Sequence, residues 1–315
     1  MKVACIGSGL IGSGWATYFT LKGLETTLYD IDDGKLDEAV DRIKSNLKFM
    51  YSENVIDERE FNRCLERITT TTSMEKAVKD ADLIQENGPE NYEIKRSIIQ
   101  NIEKYGKNDA IIASSTSGLL VTEIAKDADY PERIIGAHPY NPVQLIPLVE
   151  ITKGDRTEEK YINKAVEFYR SIDKEPIVLN KEALGFISNR LALALYREAV
   201  EIVERGICSV EEIDKACCFG PGLRYALMGP NLIYQLGGGA HGIRGVLTHI
   251  GPSVEKWWED MADWKKWPEG YGERVQKGVN EEMKNRRESH GNTNDEIAMF
   301  RDKGLIMLLK YHDKM

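Results

Sequence analysis

Val3-Ala4-Cys5-Ile6-Gly7-Ser8-Gly9-Leu10-Ile11-Gly12 is the stretch on which the fold turns. Its apolar run reads as a buried strand, and G-x-G-x-x-G leads into an amphipathic stretch over Leu10 to Leu21. The spacing alone is weak, because glycine-rich turns are common; the strand before it and the helix after it make it specific. Gly7 permits the tight turn, Gly9 lets a pyrophosphate approach the backbone, and Gly12 lets the helix pack on the strand. The free N–H groups of the helix start, around Leu10 and Ile11, then face an anion. A second strand, Thr26 to Tyr29, ends at Asp30, 18 residues after Gly12. A carboxylate there meets the ribose hydroxyls of an adenosine. Asp32 and Asp33 follow with no arginine among them, so a 2′-phosphate would meet like charge. NAD is expected rather than NADP.

Working outward, further strand-like runs lie at Ile68 to Thr70, Asp82 to Gln85, Ala110 to Ala113, Ile134 to Ala137 and Pro176 to Leu179. Helical patterns lie at Leu36 to Met50, Tyr92 to Ile102 and Glu158 to Ser171. Strands alternating with helices of this length predict an α/β fold with a doubly wound, mostly parallel sheet, whose ligands sit at the carboxyl ends of the strands. From about Leu184 the pattern turns helical, with one long stretch from Phe186 to Arg205 ended by Gly206. The expected organisation is therefore 1–183 as the nucleotide-binding domain and 184–315 as an all-α domain. No internal repeat or low-complexity linker interrupts it. Trp257 to Tyr271 is unusual in holding four of the five tryptophans.

The 315 residues are 42% hydrophobic and 30% charged, ordinary values for a globular protein. A net charge of −9 repels nucleic acid and anionic membrane surfaces, so neither is an expected partner. Five cysteines without C-x-x-C spacing predict neither a disulfide framework nor a zinc site, and no metal is expected. The adjacent Cys217 and Cys218 read either as a redox pair or as two small apolar residues at a helix end. The opening residues run straight into the first strand without a charged leader, and no apolar run is long enough to span a bilayer; the cytoplasm is the expected compartment.

The richest chemistry lies in Ala137-His138-Pro139-Tyr140-Asn141-Pro142, with Glu150 after Pro147-Leu148-Val149. His138 follows a strand at the ligand edge, and an imidazole with its ordinary pKa of about 6.5 suits proton transfer at neutral pH. A carboxylate on its other ring nitrogen would fix the tautomer and stabilise the imidazolium. Taken alone, His138 suits a structural role equally well, and spacing does not show that Glu150 reaches it.

The motifs GSGLIG, Asp30, PENYEIK, ASSTSG, HPYNP with LVE, and GFISNR, in that order, resemble the 3-hydroxyacyl-CoA dehydrogenase family over nearly the whole chain. The resemblance implies a Rossmann domain joined to a helical domain that makes a homodimer contact. It implies His138 as catalytic base, Glu150 as its partner acid, Ser117 and Asn189 on the substrate oxygen, and Glu90, Lys95 and Asn141 near the nicotinamide side of NAD. Gly88-Pro89, ahead of Glu90, departs from the family pattern. Without the resemblance, Ser117 reads as a helix cap and Lys95 as a solvated helix lysine.

Phe219-Gly220-Pro221-Gly222-Leu223-Arg224-Tyr225-Ala226 and Met228-Gly229-Pro230 are similar to the branch containing L-gulonate 3-dehydrogenase, lambda-crystallin and carnitine dehydrogenase. That branch implies a small free 3-hydroxy acid as substrate, with Arg224 gripping its carboxylate or, alternatively, making an ion pair. The glycine run at Leu236 to Gly239 and the tryptophan segment look closer to carnitine dehydrogenase. Trp257, Trp258, Trp264, Trp267 and Tyr271 read either as a cage for a quaternary ammonium or as packing of a core or dimer. The rival functions are a 3-hydroxyacyl-CoA dehydrogenase proper and a non-catalytic NAD-binding protein.

Overall fold

Along the first strand, β1 (Lys2–Ile6), side chains alternate between two buried faces, and that alternation sets the layers. In the computed structural model, which describes residues 1–315, β1 leads into α1 (Leu10–Leu21), β2 (Glu25–Tyr29), α2 (Asp33–Ser52), α3 (Glu58–Glu66), β3 (Ile68–Thr71) and α4 (Met74–Val78). There follow β4 (Leu83–Glu86), α5 (Tyr92–Tyr105), β5 (Ile111–Ser114), α6 (Val121–Ile124), β6 (Ile134–Pro139), β7 (Leu148–Lys153), α7 (Glu159–Ser171) and β8 (Glu175–Val178). The strands form one sheet in the order β3-β2-β1-β4-β5-β6-β7-β8. All neighbours are parallel except β6 and β7. The strand order reverses between β1 and β4, which opens a crevice at the carboxyl edge.

Val3 and Cys5 face one way and join Trp15, Phe19, Ile43, Leu47 and Tyr169 from α1, α2 and α7. Ala4 and Ile6 face the other way, against Val78, Ile99, Ile102 and Val121 from α4, α5 and α6. With helices on both faces no strand residue of β1 beyond Lys2 meets water, which is why its sequence is an unbroken apolar run. Each large apolar side chain so buried contributes about 1.5–3 kcal/mol. Helix α3 is short and carries only three apolar residues, Phe61, Cys64 and Leu65, at i, i+3 and i+4, and it was not singled out in the sequence. Its start is nonetheless written locally, in the Asp57 side chain that accepts from Glu60 N–H.

Beyond Val178 there is no strand. The helices are α8 (Ser188–Glu204), α9 (Val210–Phe219), α10 (Pro221–Tyr225), α11 (Pro230–Gly237), α12 (Gly242–Asp260), α13 (Tyr271–Asn285) and α14 (Asn294–Tyr311). The chain divides into two compact units, residues 1–189 with 305–315, and residues 190–304. This partition differs in two places from the expected division at residue 183. Residues 184–189 stay with the sheet, because Gly185 (φ 75°) and Phe186 (φ 48°) turn the chain there and delay α8 to Ser188. Residues 305–315 return to the first unit, where Ile306 and Leu309 bury against Met50 and Leu145. No helix is long and apolar enough to cross a membrane.

Candidate active site

Three glycines shape the crevice at the β1 end. Gly7 has φ 97°, and a Cβ on it would stand 2.8 Å from the Asn87 carbonyl oxygen. A Cβ on Gly12 would stand 1.8 Å from the Gly7 carbonyl oxygen, so no other residue fits there. A Cβ on Gly9 would meet only open space, which leaves that backbone approachable. No side chain caps the start of α1, so its first N–H groups, around Leu10 and Ile11, remain directed at the crevice. Asp30 closes β2: its Oδ2 accepts from Ser8 N–H at 2.9 Å and Ser8 Oγ at 2.8 Å. The resulting cavity, about 820 Å³, is lined by Gly7 to Leu10, Asp30 and Ile31 on one side and by Asn87 to Pro89 on the other. A tight glycine turn, an open backbone, an uncapped helix start and a carboxylate fit a dinucleotide.

Two cations in this crevice escaped the sequence reading. Lys35 and Arg42 line it, and Arg42 Nη2 donates to the Ser8 carbonyl at 2.8 Å. Their signal was present: Lys35, Glu38 and Arg42 fall at i, i+3 and i+7, on one face of α2.

The antiparallel register of β6 and β7 sets His138 directly opposite Glu150. His138 Nδ1 lies 2.8 Å from Glu150 Oε2, with both residues buried. Glu150 Oε1 accepts the backbone N–H groups of Ile187 and Ser188, each at 2.9 Å, and Ser188 Oγ donates to Oε2. Burial pushes the Glu150 carboxyl pKa up, but the bonds from His138, from the Ser188 hydroxyl and from the two N–H groups outweigh it and bring it down to about 2. An ionised Glu150 accepts the Nδ1 proton, which leaves Nε2 free to take a proton from elsewhere. Phe186 stands edge-on to the imidazole at 5.7 Å, so the positive-φ turn supplies both the ring wall and the N–H groups.

A second network ends at Ser117. Glu90 Oε1 accepts from Ser117 N–H at 2.8 Å and from Thr116 Oγ1 at 2.7 Å, across the Gly88-Pro89 loop. Asn189 Nδ2 donates to the Ser117 carbonyl at 2.7 Å, while the Ser117 side chain is exposed. Lys95 is fully buried: Nζ bonds both oxygens of Glu86, at 3.1 and 3.0 Å, and the Gly88 carbonyl at 3.1 Å, and it lies 3.8 Å from Glu90. Glu86, whose Oε2 also accepts from Ser114 Oγ at 2.5 Å, was not singled out in the sequence, because nothing local distinguishes it. Asn141 is exposed and precedes a cis bond to Pro142.

Lys174 was missed as well. It is 1% exposed, donates to the Val143 and Ile146 carbonyls at 2.6 and 2.8 Å, and sits 3.7 Å from the centre of the Tyr18 ring. It thereby clamps the loop between β6 and β7. Burial, with the Lys22 charge adding to it, lowers its pKa.

In the second unit, Arg224 lines a separate cavity of about 500 Å³ with Tyr225, Tyr234, His241 and His249. The tryptophan segment does not act as one group. Trp264 and Trp267 lie 5.8 Å apart, and Trp267 packs on Tyr196 and Tyr271, whereas Trp257 and Trp258 are exposed on α12.

Residues 2–183 match the family profile described as 3-hydroxyacyl-CoA dehydrogenase, NAD binding domain, and residues 185–278 match that family's C-terminal domain. The chain belongs to the 3-hydroxyacyl-CoA dehydrogenase family. It is 40% identical to an L-carnitine dehydrogenase of Oceanobacillus iheyensis over 260 residues, 82% of this chain and 83% of that one. It is 34% identical to a 3-hydroxyacyl-CoA dehydrogenase of Gibberella moniliformis over 99% of this chain and 95% of that one. Among solved structures, 5-formyl-3-hydroxy-2-methylpyridine 4-carboxylic acid 5-dehydrogenase, an NAD+ dependent dismutase, superposes with TM-score 0.79 at 26% identity, covering 99% of this chain and 97% of that one. As a family member the chain is an NAD-dependent oxidoreductase acting on CH–OH groups. The crevice described above suits that cofactor on its own geometry.

Proposed function

We propose that the substrate is a small free 3-hydroxy acid of the carnitine type, oxidised at C3 with His138 as the base. The observation that carries the chemistry is the buried His138–Glu150 pair at 2.8 Å, with Nδ1 committed to the carboxylate. Bound NAD would take the hydride from C3. His138 Nε2 accepts the hydroxyl proton, and Glu150, held ionised by four donors, stabilises the imidazolium that results. The exposed Ser117 hydroxyl and the remaining N–H of the Asn189 amide hold the developing carbonyl oxygen. Glu90 fixes Ser117 through its backbone N–H, and Lys95 fixes the Glu86–Gly88 turn beneath it. Gly7, Gly9, Leu10, Ile11 and Gly12 cradle the diphosphate, Asp30 accepts from the adenosine ribose, and Asn141 borders the nicotinamide.

The carnitine-type reading draws on the L-carnitine dehydrogenases among the relatives. The Gibberella moniliformis relative supports a CoA thioester instead. NAD reduction across L-carnitine, L-gulonate, 3-hydroxybutyrate and 3-hydroxybutyryl-CoA separates the two. A kcat/KM for the thioester tenfold above that for every free acid would replace the proposed substrate class.

The reading includes a cytoplasmic homodimer joined through the helical residues. Phe219, Leu223, Leu232 and Leu236 are 59–74% exposed in the single chain, a density of apolar surface that suits burial against a second copy. Light scattering at twice the chain mass is the expected result; a stable monomer at micromolar concentration would remove this part.

A further inference from the structure

Hydride transfer has no direct use for Ser188, yet its hydroxyl donates to Glu150 Oε2, the oxygen that also faces His138 Nδ1. The two backbone donors, Ile187 and Ser188 N–H, go to the other oxygen. Hydroxyl and imidazole therefore share one acceptor atom, while the anchoring of the carboxylate is already met at Oε1.

We infer that Ser188 is a positioning residue that sets how readily His138 takes up a proton, by drawing on the same carboxylate oxygen. A carboxylate oxygen has about two lone-pair sites, and each additional donor makes it a weaker acceptor for the next. The serine bond persists whether or not the imidazole is charged, so it removes part of the negative charge that an imidazolium would otherwise meet. The serine thereby lowers the basicity of His138 below what Glu150 alone would confer. The groups facing His138 leave little else to tune it. Glu150 comes from β7, Tyr140 lies at 6.4 Å from the chain after β6, and uncharged Phe186 lies at 5.7 Å from the turn before α8. Glu150 is the one carboxylate among them. The placement is built by the backbone: Gly185 and Phe186, at φ 75° and 48°, swing the chain so that α8 begins against Glu150.

The inference rests on His138 being the base, and the test separates the two. The probe is whichever of L-carnitine, L-gulonate, 3-hydroxybutyrate and 3-hydroxybutyryl-CoA reduces NAD fastest, followed as kcat/KM against pH. Ser188→Ala is expected to move the acid limb up by roughly half a unit to one unit, the size set by losing one hydrogen bond to a charged acceptor. Ser188→Thr, which keeps the hydroxyl, restores the wild-type limb. Ser188→Cys, a weak donor of similar size, gives an intermediate limb and carries the test if the alanine variant does not fold. A role in packing alone would scale the whole profile without moving the limb. An unmoved limb in folded Ser188→Ala or Ser188→Cys, or a threonine variant that shifts like alanine, overturns the inference. If His138→Gln keeps activity and the acid limb, the base assignment itself fails, whatever Ser188 does.

Discussion

Residues 1–189 bury Trp15, Phe19 and Tyr169 completely, whereas residues 190–304 leave Phe219 at 74%, Leu236 at 68% and Trp258 at 66% exposure. In that second stretch only Val200 and Tyr271 are buried among the hydrophobic residues. The contrast is one of architecture. A sheet covered on both faces closes its own core, and its strand ends then become a rigid edge on which polar groups can be held to fractions of an ångström. In the second unit helices pack only on other helices, and their apolar faces include some that no sheet covers. The polar contacts follow the same division. Around the first unit's crevice, buried groups such as Glu86, Lys95 and Glu150 each have several partners. In the second unit the ion pairs are at the surface, as in Arg205–Asp260 and Lys215–Glu211, where each adds little. Ordered buried polar contacts and exposed apolar surface thus fall on different stretches of one chain.

The hardest blow to this comparison would be a catalytic centre elsewhere. His138→Ala is expected to lower kcat about 1,000-fold, within the range for loss of a general base, while NADH affinity by fluorescence titration stays within about twofold. A loss of less than tenfold would detach the chemistry from the first unit. Next in size is the core: Trp15→Ala should cost about 3–5 kcal/mol in denaturant unfolding, since the ring is wholly buried and stacked on Phe19 at 5.0 Å. A cost under 1 kcal/mol would mean that the sheet face is not the stability centre.

Acid provides a third test. The folded Glu150 carboxyl lies at about 2, below its ordinary 4.5, so its stabilisation is complete above about pH 4.5 and is lost as pH falls towards 2. The shift is worth on the order of 3 kcal/mol, and Glu150→Gln should flatten that part of the stability–pH curve. An identical acid slope in the variant would contradict the role of the buried carboxylate. The smallest effect sharpens the contrast from the other side. Leu236→Ala should change unfolding free energy, extrapolated to a single chain, by no more than about 0.5 kcal/mol. It should weaken self-association in sedimentation measurements all the same. A core-sized loss of chain stability would show that this helix face is packed within the protomer.

Much of the first unit was legible because its signals are local. Gly7 and Gly12 sit where any Cβ would strike backbone oxygen, so glycine is demanded by the turn itself. The β1 run is apolar throughout because both faces of that strand are covered. Other features were illegible for equally physical reasons. Helix α3 is only nine residues long, so its one apolar face, Phe61, Cys64 and Leu65, repeats too few times to stand out. Lys95 and Lys174 look like solvated lysines in sequence, yet one is enclosed by Glu86 and a carbonyl and the other by two carbonyls and an aromatic ring. Arg42 stands well beyond the end of β2 in the sequence, although one face of α2 carries it into the same crevice as Asp30.

Sequence by itself determined the strand–glycine–helix opening, the acid that ends β2 and the histidine at a strand edge, because each is set by the few residues around it. Tertiary structure alone decided that Glu150 meets His138, that Ser188 shares its oxygen and that the last helix returns to Met50 and Leu145. Those contacts join residues far apart in the chain. They depend on strand register and on the side chains that fill the core, both of which are settled by the sum of many weak long-range contacts rather than by any short motif.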